Sequence, residues 1–337
     1  MENTNNWYQP PDSPPVPDKK KIFRKQINFI SGSLLIYTVI LFAVAIVYMI
    51  AVEVVEIIIA GIKQETFDYD AFMEQFQETD MGTGLAVIIG CLFMLLFYFK
   101  RIKPKQIFIK RQKKMTISKL LMLICVLMCI QFPISLFDVF FEALLNQLGF
   151  SAQAAIESSQ AGSTTISMML YAGFIGPFAE EFVYRGYTMQ SLERTGAGKG
   201  YALLISSILF GIMHANPTQS VYAVFAGLVF GYTAMEYGII WSMILHMLNN
   251  FLFGDVLVFL TRNLPENISN LIGILIMLFL FLAGILILIV KRKSLSAYIR
   301  ENFATDAECY KLTFTSILFL LFISVNIFMA VMQIQAV

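Results

Sequence analysis

Long apolar runs, separated by short polar or basic stretches, occupy most of the chain from residue 29 onwards. About nine such runs lie at roughly 29–52, 83–99, 117–145, 164–185, 201–215, 220–235, 238–260, 269–290 and 312–334. Several approach or exceed the ~20 residues that an α-helix needs to cross a bilayer, and they are continuous rather than alternating as in a membrane β-strand. The pattern predicts an all-α, polytopic membrane helical bundle with about eight or nine transmembrane helices.

The composition excludes a soluble globular protein. Hydrophobic residues make up 58% of the 337 residues and charged residues only 14%, whereas soluble domains have about 25% charged residues. The lipid bilayer is therefore an expected partner, and no nucleic-acid partner is expected. The four cysteines form no CxxC pair, so we interpret them as apolar packing residues: Cys91, Cys125, Cys129 and Cys309.

Basic residues indicate which ends of the apolar runs face the cytoplasm. In a nine-helix arrangement, all of the 24 Lys and Arg residues except Lys63 and Arg262 fall on one side, and the acidic stretch 64–80 falls on the other. The predicted topology has a cytoplasmic N-terminus, with loops 100–116 and 291–311 on the same side. The sequence thus predicts a multi-pass protein of a cell membrane, and its Lys-, Ile- and Phe-rich composition favours a bacterial plasma membrane.

The chain divides into four predicted parts. Residues 1–28 form a proline-rich, disordered cytoplasmic tail, and residues 29–150 form N-terminal transmembrane helices without a chemical motif. Residues 160–260 form a core that holds all the candidate polar groups within apolar runs, and residues 261–337 form C-terminal transmembrane helices.

The first candidate group is the sequence Glu180-Glu181-Phe-Val-Tyr-Arg185. Residues four apart share a helix face, so Glu181 is predicted to pair with Arg185. Glu180 points about 100° away and is left without that partner. A desolvated carboxylate of this kind is a candidate general base. The alternative is an ordinary ion pair near the cytoplasmic end of a helix.

The only two histidines of the chain provide the second and third groups. His214 ends the sequence Phe210-Gly-Ile-Met-His214, in which Gly211 would permit close helix approach. His246 and Asn250 are four residues apart, so both can donate hydrogen bonds from one helix face to a developing oxyanion. Alternatively, His214 is a packing residue and His246 with Asn250 forms a polar clamp between helices.

The predicted depths of these groups in the bilayer support one common site. With cytoplasmic boundaries near residues 189, 202 and 239 and a rise of ~1.5 Å per residue, Glu180 lies roughly 14 Å deep and His214 roughly 18 Å. On the same basis His246 lies roughly 11 Å and Asn250 roughly 17 Å deep. Placing an ionisable group inside a membrane costs free energy. Ionisable groups at a similar depth in three neighbouring segments therefore favour a functional site.

The order of the motifs EEFVYR (180–185), FGIMH (210–214) and HMLNN (246–250) resembles the CAAX protease and bacteriocin-processing family, also called the Abi family. Its eukaryotic and archaeal members are the type II CAAX prenyl endopeptidases. The segment between the last two motifs is similar too, with its spaced Phe225, Gly227 and Gly231 and with Trp241 before the last motif. The resemblance covers about residues 170–255.

The resemblance implies a glutamate-dependent intramembrane endopeptidase that acts on a membrane-associated peptide or protein. Glu180 with His214 would activate a water, and His246 with Asn250 would stabilise the oxyanion. The supporting residues would be Glu181, Arg185 and Phe210. No cofactor is implied. Peptide maturation, bacteriocin self-immunity and processing of a signalling peptide are the options at the level of the family.

Three other functions remain open from the sequence. A zinc-dependent membrane metalloprotease could use Glu and two His as ligands, although no HExxH motif is present. A non-catalytic membrane regulator or immunity protein could use the same fold to bind a partner protein. A transporter could use the Glu and His residues as a proton relay, although no inverted repeat is evident.

Overall fold

The computed structural model of the protein describes residues 18–79, 81–108, 113–160, 166–251, 256–303 and 305–337. The described residues form a nearly all-α fold, as predicted. The first five helices are Lys19–Lys63, Tyr69–Thr79, Met81–Tyr98, Pro104–Ile107 and Ile117–Gln147. The others are Gln153–Gln160, a continuous helix over 166–193, Lys199–Met213, Pro217–Tyr237, Ile239–Asn250, Leu257–Thr261, Glu266–Asn302, Ala307–Phe314 and Ile317–Val331.

The first helix begins earlier than expected. The Asp18 side chain accepts hydrogen bonds from the backbone N–H groups of Lys20 at 2.9 Å and Lys21 at 3.3 Å, so it caps the helix N-terminus. Helix formation therefore starts at Lys19, inside the region 1–28 that the sequence predicted to be disordered. Residues 1–17 of that predicted tail lie outside the described residues.

Each predicted apolar run contains helix in the described residues, but the number of membrane spans is not confirmed. Within the part of the chain that the structure describes, three helices are long and apolar enough to cross a membrane: Lys19–Lys63, Ile117–Gln147 and Asn267–Asn302. A fourth span results if Ala307–Phe314 and Ile317–Val331, bent by 62°, count as one. Several of the other helices are too short for the ~20-residue criterion, such as Lys199–Met213 with 15 residues.

Residues 166–193 form what we call the glutamate helix. Its α-helical turns Ile166–Leu170, Gly176–Glu181 and Gln190–Glu193 alternate with two π-helical segments, Tyr171–Ile175 and Phe182–Met189. Such π-helical turns are rare, and they occur frequently at functional sites. The two glutamates thus lie in a short α-helical stretch between two π-helical segments.

The helices that pack against the glutamate helix include the His214 helix (Lys199–Met213), the glycine helix (Pro217–Tyr237) and the His246 helix (Ile239–Asn250). A Cβ atom on Gly211 would lie 2.7 Å from the Ser220 carbonyl oxygen. The close approach predicted for Gly211 is therefore confirmed, because a side chain there would collide with backbone of the glycine helix.

A two-stranded antiparallel ladder pairs Phe150–Ser151 with Gln335–Ala336. It joins the chain just after the helix Ile117–Gln147 to residues that follow the last helix. Nearby, the amide of Gln333 donates to the Ala215 carbonyl oxygen at 2.8 Å, and the amide of Asn216 donates to the Ala155 carbonyl oxygen at 2.8 Å. These contacts hold the turn that follows His214.

Candidate active site

A cavity of about 340 Å³ lies between the four helices of the core. Its lining includes all four residues that the sequence analysis assigned to chemistry: Glu180, His214, His246 and Asn250. Phe210, one of the predicted supporting residues, lines it as well. The structure therefore brings together residues that lie up to 70 positions apart in the chain.

Glu181 and Arg185 form a fully buried ion pair behind this cavity. Arg185 Nη1 donates to Glu181 Oε1 at 2.8 Å, and Arg185 Nη2 donates to the Gly227 carbonyl oxygen at 3.1 Å. The contact predicted from the four-residue spacing is confirmed. A buried pair of this kind is tolerated best when further hydrogen bonds compensate its desolvation, and Glu181 makes such contacts with His246 and Ser242.

Glu181 also holds the His246 helix. His246 Nδ1 lies 3.1 Å from Glu181 Oε1. Because an ionised carboxylate can only accept, the proton of this contact is on Nδ1. The Ser242 hydroxyl, which has one proton to donate, lies 2.6 Å from Glu181 Oε2 and 2.7 Å from the Phe230 carbonyl oxygen. The Glu181 carboxylate thus links the glutamate helix to the His246 helix, and Arg185 extends the network to the Gly227 carbonyl oxygen of the glycine helix.

The His246 ring is fixed between two carboxylates. Its Nε2 atom lies 3.7 Å from Glu180 Oε2, while its Nδ1 atom contacts Glu181. The ring stacks on Phe230 with a centroid distance of 4.3 Å. Nε2 is therefore the His246 atom nearer to Glu180.

Glu180 differs from Glu181 in its surroundings. Its side chain is 23% exposed, whereas that of Glu181 is fully buried. Among the described residues, Glu180 has no hydrogen bond and no ion pair with Arg185; its ionic contact is the one with His246. Glu180 is thus the carboxylate that faces the cavity and is free to accept a proton from a bound molecule.

His214 lies at the end of its helix and lines the same cavity. Its Nδ1 atom lies 3.0 Å from the Phe210 carbonyl oxygen, which can only accept a hydrogen bond. The proton of a neutral His214 is therefore on Nδ1, and Nε2 keeps a lone pair. The ring packs edge-to-face on Phe210 at 4.9 Å. Such an arrangement suits a base rather than a donor.

Asn250 is oriented by a chain of hydrogen bonds. Tyr222 donates to Asn249 Oδ1 at 2.7 Å, and Asn249 Nδ2 donates to Asn250 Oδ1 at 3.2 Å. Asn250 Nδ2 donates in turn to the Ala172 carbonyl oxygen at 3.0 Å. Because the amide nitrogen has two protons, this leaves one N–H of Asn250 for a molecule in the cavity.

Arg185 is also enclosed by aromatic rings. Its guanidinium carbon lies 4.2 Å from the centroid of Phe210 and 5.6 Å from that of Phe230. A Cβ atom on Gly227 would approach Arg185 Nη2 to 3.2 Å, so the glycine leaves room for the guanidinium group. Phe210 supports both Arg185 and His214, which explains the first residue of the FGIMH motif.

The sequence analysis did not assign Ser242, Phe230, Tyr222 or Asn249 to the site. Ser242 could have been found, because it lies four residues before His246 and thus on the same helix face. Phe230 and Tyr222 carried no such signal, since their roles arise only from packing between helices. In the part of the chain that the structure describes, no group of three or more His, Cys, Asp or Glu side chains is arranged to hold a metal ion.

Comparison with known proteins identifies the segment that carries this site. Residues 162–252 match a protein-family model described as "Type II CAAX prenyl endopeptidase Rce1-like". The resemblance seen in the three motifs is therefore confirmed over this segment. The family is one of proteases, so the match supports a peptidase. No curated protein and no solved structure matches the chain.

Proposed function

We propose that the chain is a glutamate-dependent intramembrane endopeptidase that cleaves membrane-associated peptides or proteins. The observation that supports this most directly is that Glu180, His214, His246 and Asn250 all line one cavity. It contains an ionisable base, two histidines and an amide, which are the groups needed for acid–base catalysis and oxyanion stabilisation.

The reaction would begin with a water held between Glu180 and His214. Glu180 accepts one water proton while the water oxygen attacks the scissile carbonyl carbon, and His214 Nε2 accepts a hydrogen bond from the same water. The C=O π electrons move to oxygen and form a tetrahedral oxyanion. Protonated Glu180 then donates its proton to the leaving nitrogen while the oxyanion re-forms the C=O bond. The C–N bond breaks with its electron pair on nitrogen, and a carboxyl and an amine are released.

His246 Nε2 and the free N–H of Asn250 would stabilise the oxyanion. In this role His246 is an imidazolium, with Nδ1–H donating to Glu181 and Nε2–H available to the substrate oxygen. Asn250 donates from a side chain that Asn249 and Ala172 already orient. Donors fixed before substrate binds require little reorganisation in the transition state.

In this proposal Glu181 and Arg185 do not contact substrate. They set the position of the His246 ring relative to Glu180, and Phe210 packs against Arg185 and His214. No cofactor takes part. The protein is proposed to cross a bacterial plasma membrane about eight or nine times with its N-terminus in the cytoplasm, because helices below the usual length also lie in apolar runs.

A comparison of membrane peptidomes tests the function. Cells that express the wild-type protein are compared with cells that express Glu180→Ala, with Glu193→Ala as a control that removes a carboxylate from the same helix outside the cavity. We expect uncleaved precursors to accumulate only with Glu180→Ala. Identical peptidomes for all three would instead favour a non-catalytic membrane regulator.

A chelator test distinguishes the proposed mechanism from that of a zinc-dependent metalloprotease. Purified protein that cleaves an identified precursor should keep its activity after treatment with a zinc chelator, because Glu180 and His214 activate the water by themselves. If the chelator abolishes cleavage and added zinc restores it, the enzyme is a metalloprotease.

A further inference from the structure

A second cavity, of about 290 Å³, lies outside the candidate active site. Its lining includes two arginines, Arg101 and Arg194, together with Gln26, Ser191 and Phe29. No acidic residue lines it. A cavity with two guanidinium groups and no carboxylate attracts anions, and guanidinium groups bind phosphate oxygens in a bidentate manner.

The guanidinium group of Arg101 is held in place, but its hydrogen-bond donors are not used within the described residues. Its guanidinium carbon lies 3.5 Å from the centroid of the Phe29 ring, so the planar group rests on an aromatic face. Among the described residues, the Arg101 side chain makes no hydrogen bond and no ion pair. Its N–H donors therefore remain available to a molecule in the cavity.

Arg194 supplies the second positive charge of the cavity. It donates to the Arg101 carbonyl oxygen through Nη1 and to Gln106 Oε1 through Nη2, the latter at 3.1 Å. These contacts tie the end of the glutamate helix to the turn after the helix Met81–Tyr98. The C-terminal end of the glutamate helix carries a partial negative charge of about half an elementary charge. The two positive charges of Arg101 and Arg194 exceed it, so the cavity remains positive.

The predicted apolar runs place the cavity at the expected level of lipid headgroups. Phe29 is at the start of the first apolar run, Arg101 follows the end of the second, and Arg194 lies beyond the end of the fourth. All three chain segments thus leave the apolar region at this point. In the predicted topology this is the cytoplasmic leaflet, where basic residues close to a membrane helix meet anionic lipid headgroups.

We propose that this cavity binds the phosphate group of an anionic glycerophospholipid, with Arg101 as its main ligand. Occupancy would stabilise the C-terminal end of the helix that carries Glu180 and Glu181, because Ser191 and Arg194 lie there. The proposal does not depend on the catalytic activity. It uses only the cavity, its charge and its place at the ends of three apolar runs.

The test measures thermal stability of the full chain in nanodiscs. Wild-type protein in phosphatidylcholine is compared with protein in phosphatidylcholine plus phosphatidylglycerol, and with protein in phosphatidylcholine plus inorganic phosphate. The variants are Arg101→Gln and, as a matched control, Lys105→Gln, which removes the same charge from a nearby exposed position outside the cavity.

We expect phosphatidylglycerol to raise the melting temperature of the wild type and of Lys105→Gln. For Arg101→Gln the lipid concentration that gives half of the effect should rise about tenfold or more. An unchanged response of Arg101→Gln, or an equal loss in Lys105→Gln, would overturn the proposal. Inorganic phosphate that reproduces the effect would identify a free anion instead of a lipid as the ligand.

A measurement on the wild type covers the case in which Arg101→Gln does not fold. Photoactivatable phosphatidylglycerol should label peptides that contain residues 26–30, 98–102 or 191–194. Excess phosphatidylglycerol, but not phosphatidylcholine, should compete with this labelling. Labelling that avoids all three segments, or competition by both lipids alike, would show that the cavity is not an anionic-lipid site.

Discussion

Glu181 and His246 are joined by a buried contact of 3.1 Å between carboxylate Oε1 and ring Nδ1. The same oxygen accepts from Arg185 at 2.8 Å. Glu181 therefore neutralises Arg185 and orients His246 at once, while its neighbour Glu180 faces the cavity. Two adjacent residues of one type thus have different surroundings, and their substitutions should have different consequences.

Glu181→Gln should lower both stability and activity. It leaves the buried Arg185 without a counter-charge, and breaking a buried pair from one side costs about 3–5 kcal/mol. Glu180→Gln removes a charge that makes no hydrogen bond among the described residues, so it should fold at least as well as wild type. Its cleavage rate should fall by ~10²–10⁴ or more, the effect of losing a general base.

Melting temperatures in detergent and cleavage rates for both variants check these expectations. The assigned roles are wrong if Glu181→Gln is stable and active, or if Glu180→Gln retains cleavage.

Ser242→Ala should weaken the link between Glu181 and the His246 helix. Loss of a hydroxyl donor to a buried carboxylate costs about 1–3 kcal/mol, and the His246 ring loses part of its support. We expect a lower turnover rate with little change in KM, because Ser242 does not line the cavity.

Ser206→Ala is the matched control. Its hydroxyl is also buried but donates only to the Leu203 carbonyl oxygen within its own helix at 3.1 Å. Equal kinetics for the two variants would contradict a positioning role for Ser242.

Gly227→Ala should disturb the Arg185 site through close packing. The added Cβ atom would lie 3.1 Å from Ser207 Cβ and 3.2 Å from both Arg185 Nη2 and Phe210 Cδ1. Overpacking of this kind costs about 1–3 kcal/mol. Unfolding in detergent should occur at a lower temperature, and cleavage should fall because Phe210 also supports His214.

Gly61→Ala provides the comparison, because a Cβ atom there meets nothing within 4 Å. In a helix that substitution is neutral or stabilising by up to ~1 kcal/mol. A Gly227→Ala variant as stable as Gly61→Ala would show that the core has room for the methyl group.

Cysteine labelling tests the predicted topology. In a variant without the four native cysteines, Asp70→Cys and Lys105→Cys should react from opposite sides of the membrane, because the two positions lie in oppositely charged segments. An impermeant maleimide added to intact cells should label Asp70→Cys, and Lys105→Cys only after permeabilisation. Labelling of both in intact cells would contradict the orientation.

The sequence predicted the helical nature of the fold and the Glu181–Arg185 contact because both depend on local spacing. The grouping of Glu180, His214 and His246 in one site could be anticipated from their shared depth and from the order of the three motifs. The two π-helical segments could not be predicted, because a period of 3.6 residues does not reveal an inserted residue. They rotate the residues beyond them relative to an ideal α-helix, so a helical wheel misplaces residues on opposite sides of a segment, although the short-range Glu181–Arg185 contact is kept.

Spacing could place Ser242 on the same face as His246, but it could not predict the contact of Ser242 with the Phe230 carbonyl oxygen or the stacking of Phe230 on His246. They depend on which side of the glycine helix meets the His246 helix, and sequence spacing within one helix says nothing about that. The membrane-span count is not confirmed because helices such as Lys199–Met213, with 15 residues, are shorter than the bilayer requires.

His214 is held in place by contacts that are remote in the chain. The residue after it, Ala215, has a left-handed backbone with φ of 49°, an unfavourable conformation for alanine that its surroundings must maintain. Its carbonyl oxygen accepts from Gln333, and Asn216 donates to Ala155. A local opening of the chain around Gln333 or around Ala155 would release the turn that follows His214, while the helices of the bundle stay folded. On gentle heating, the proposed cleavage activity should then be lost while the protein is still almost fully helical.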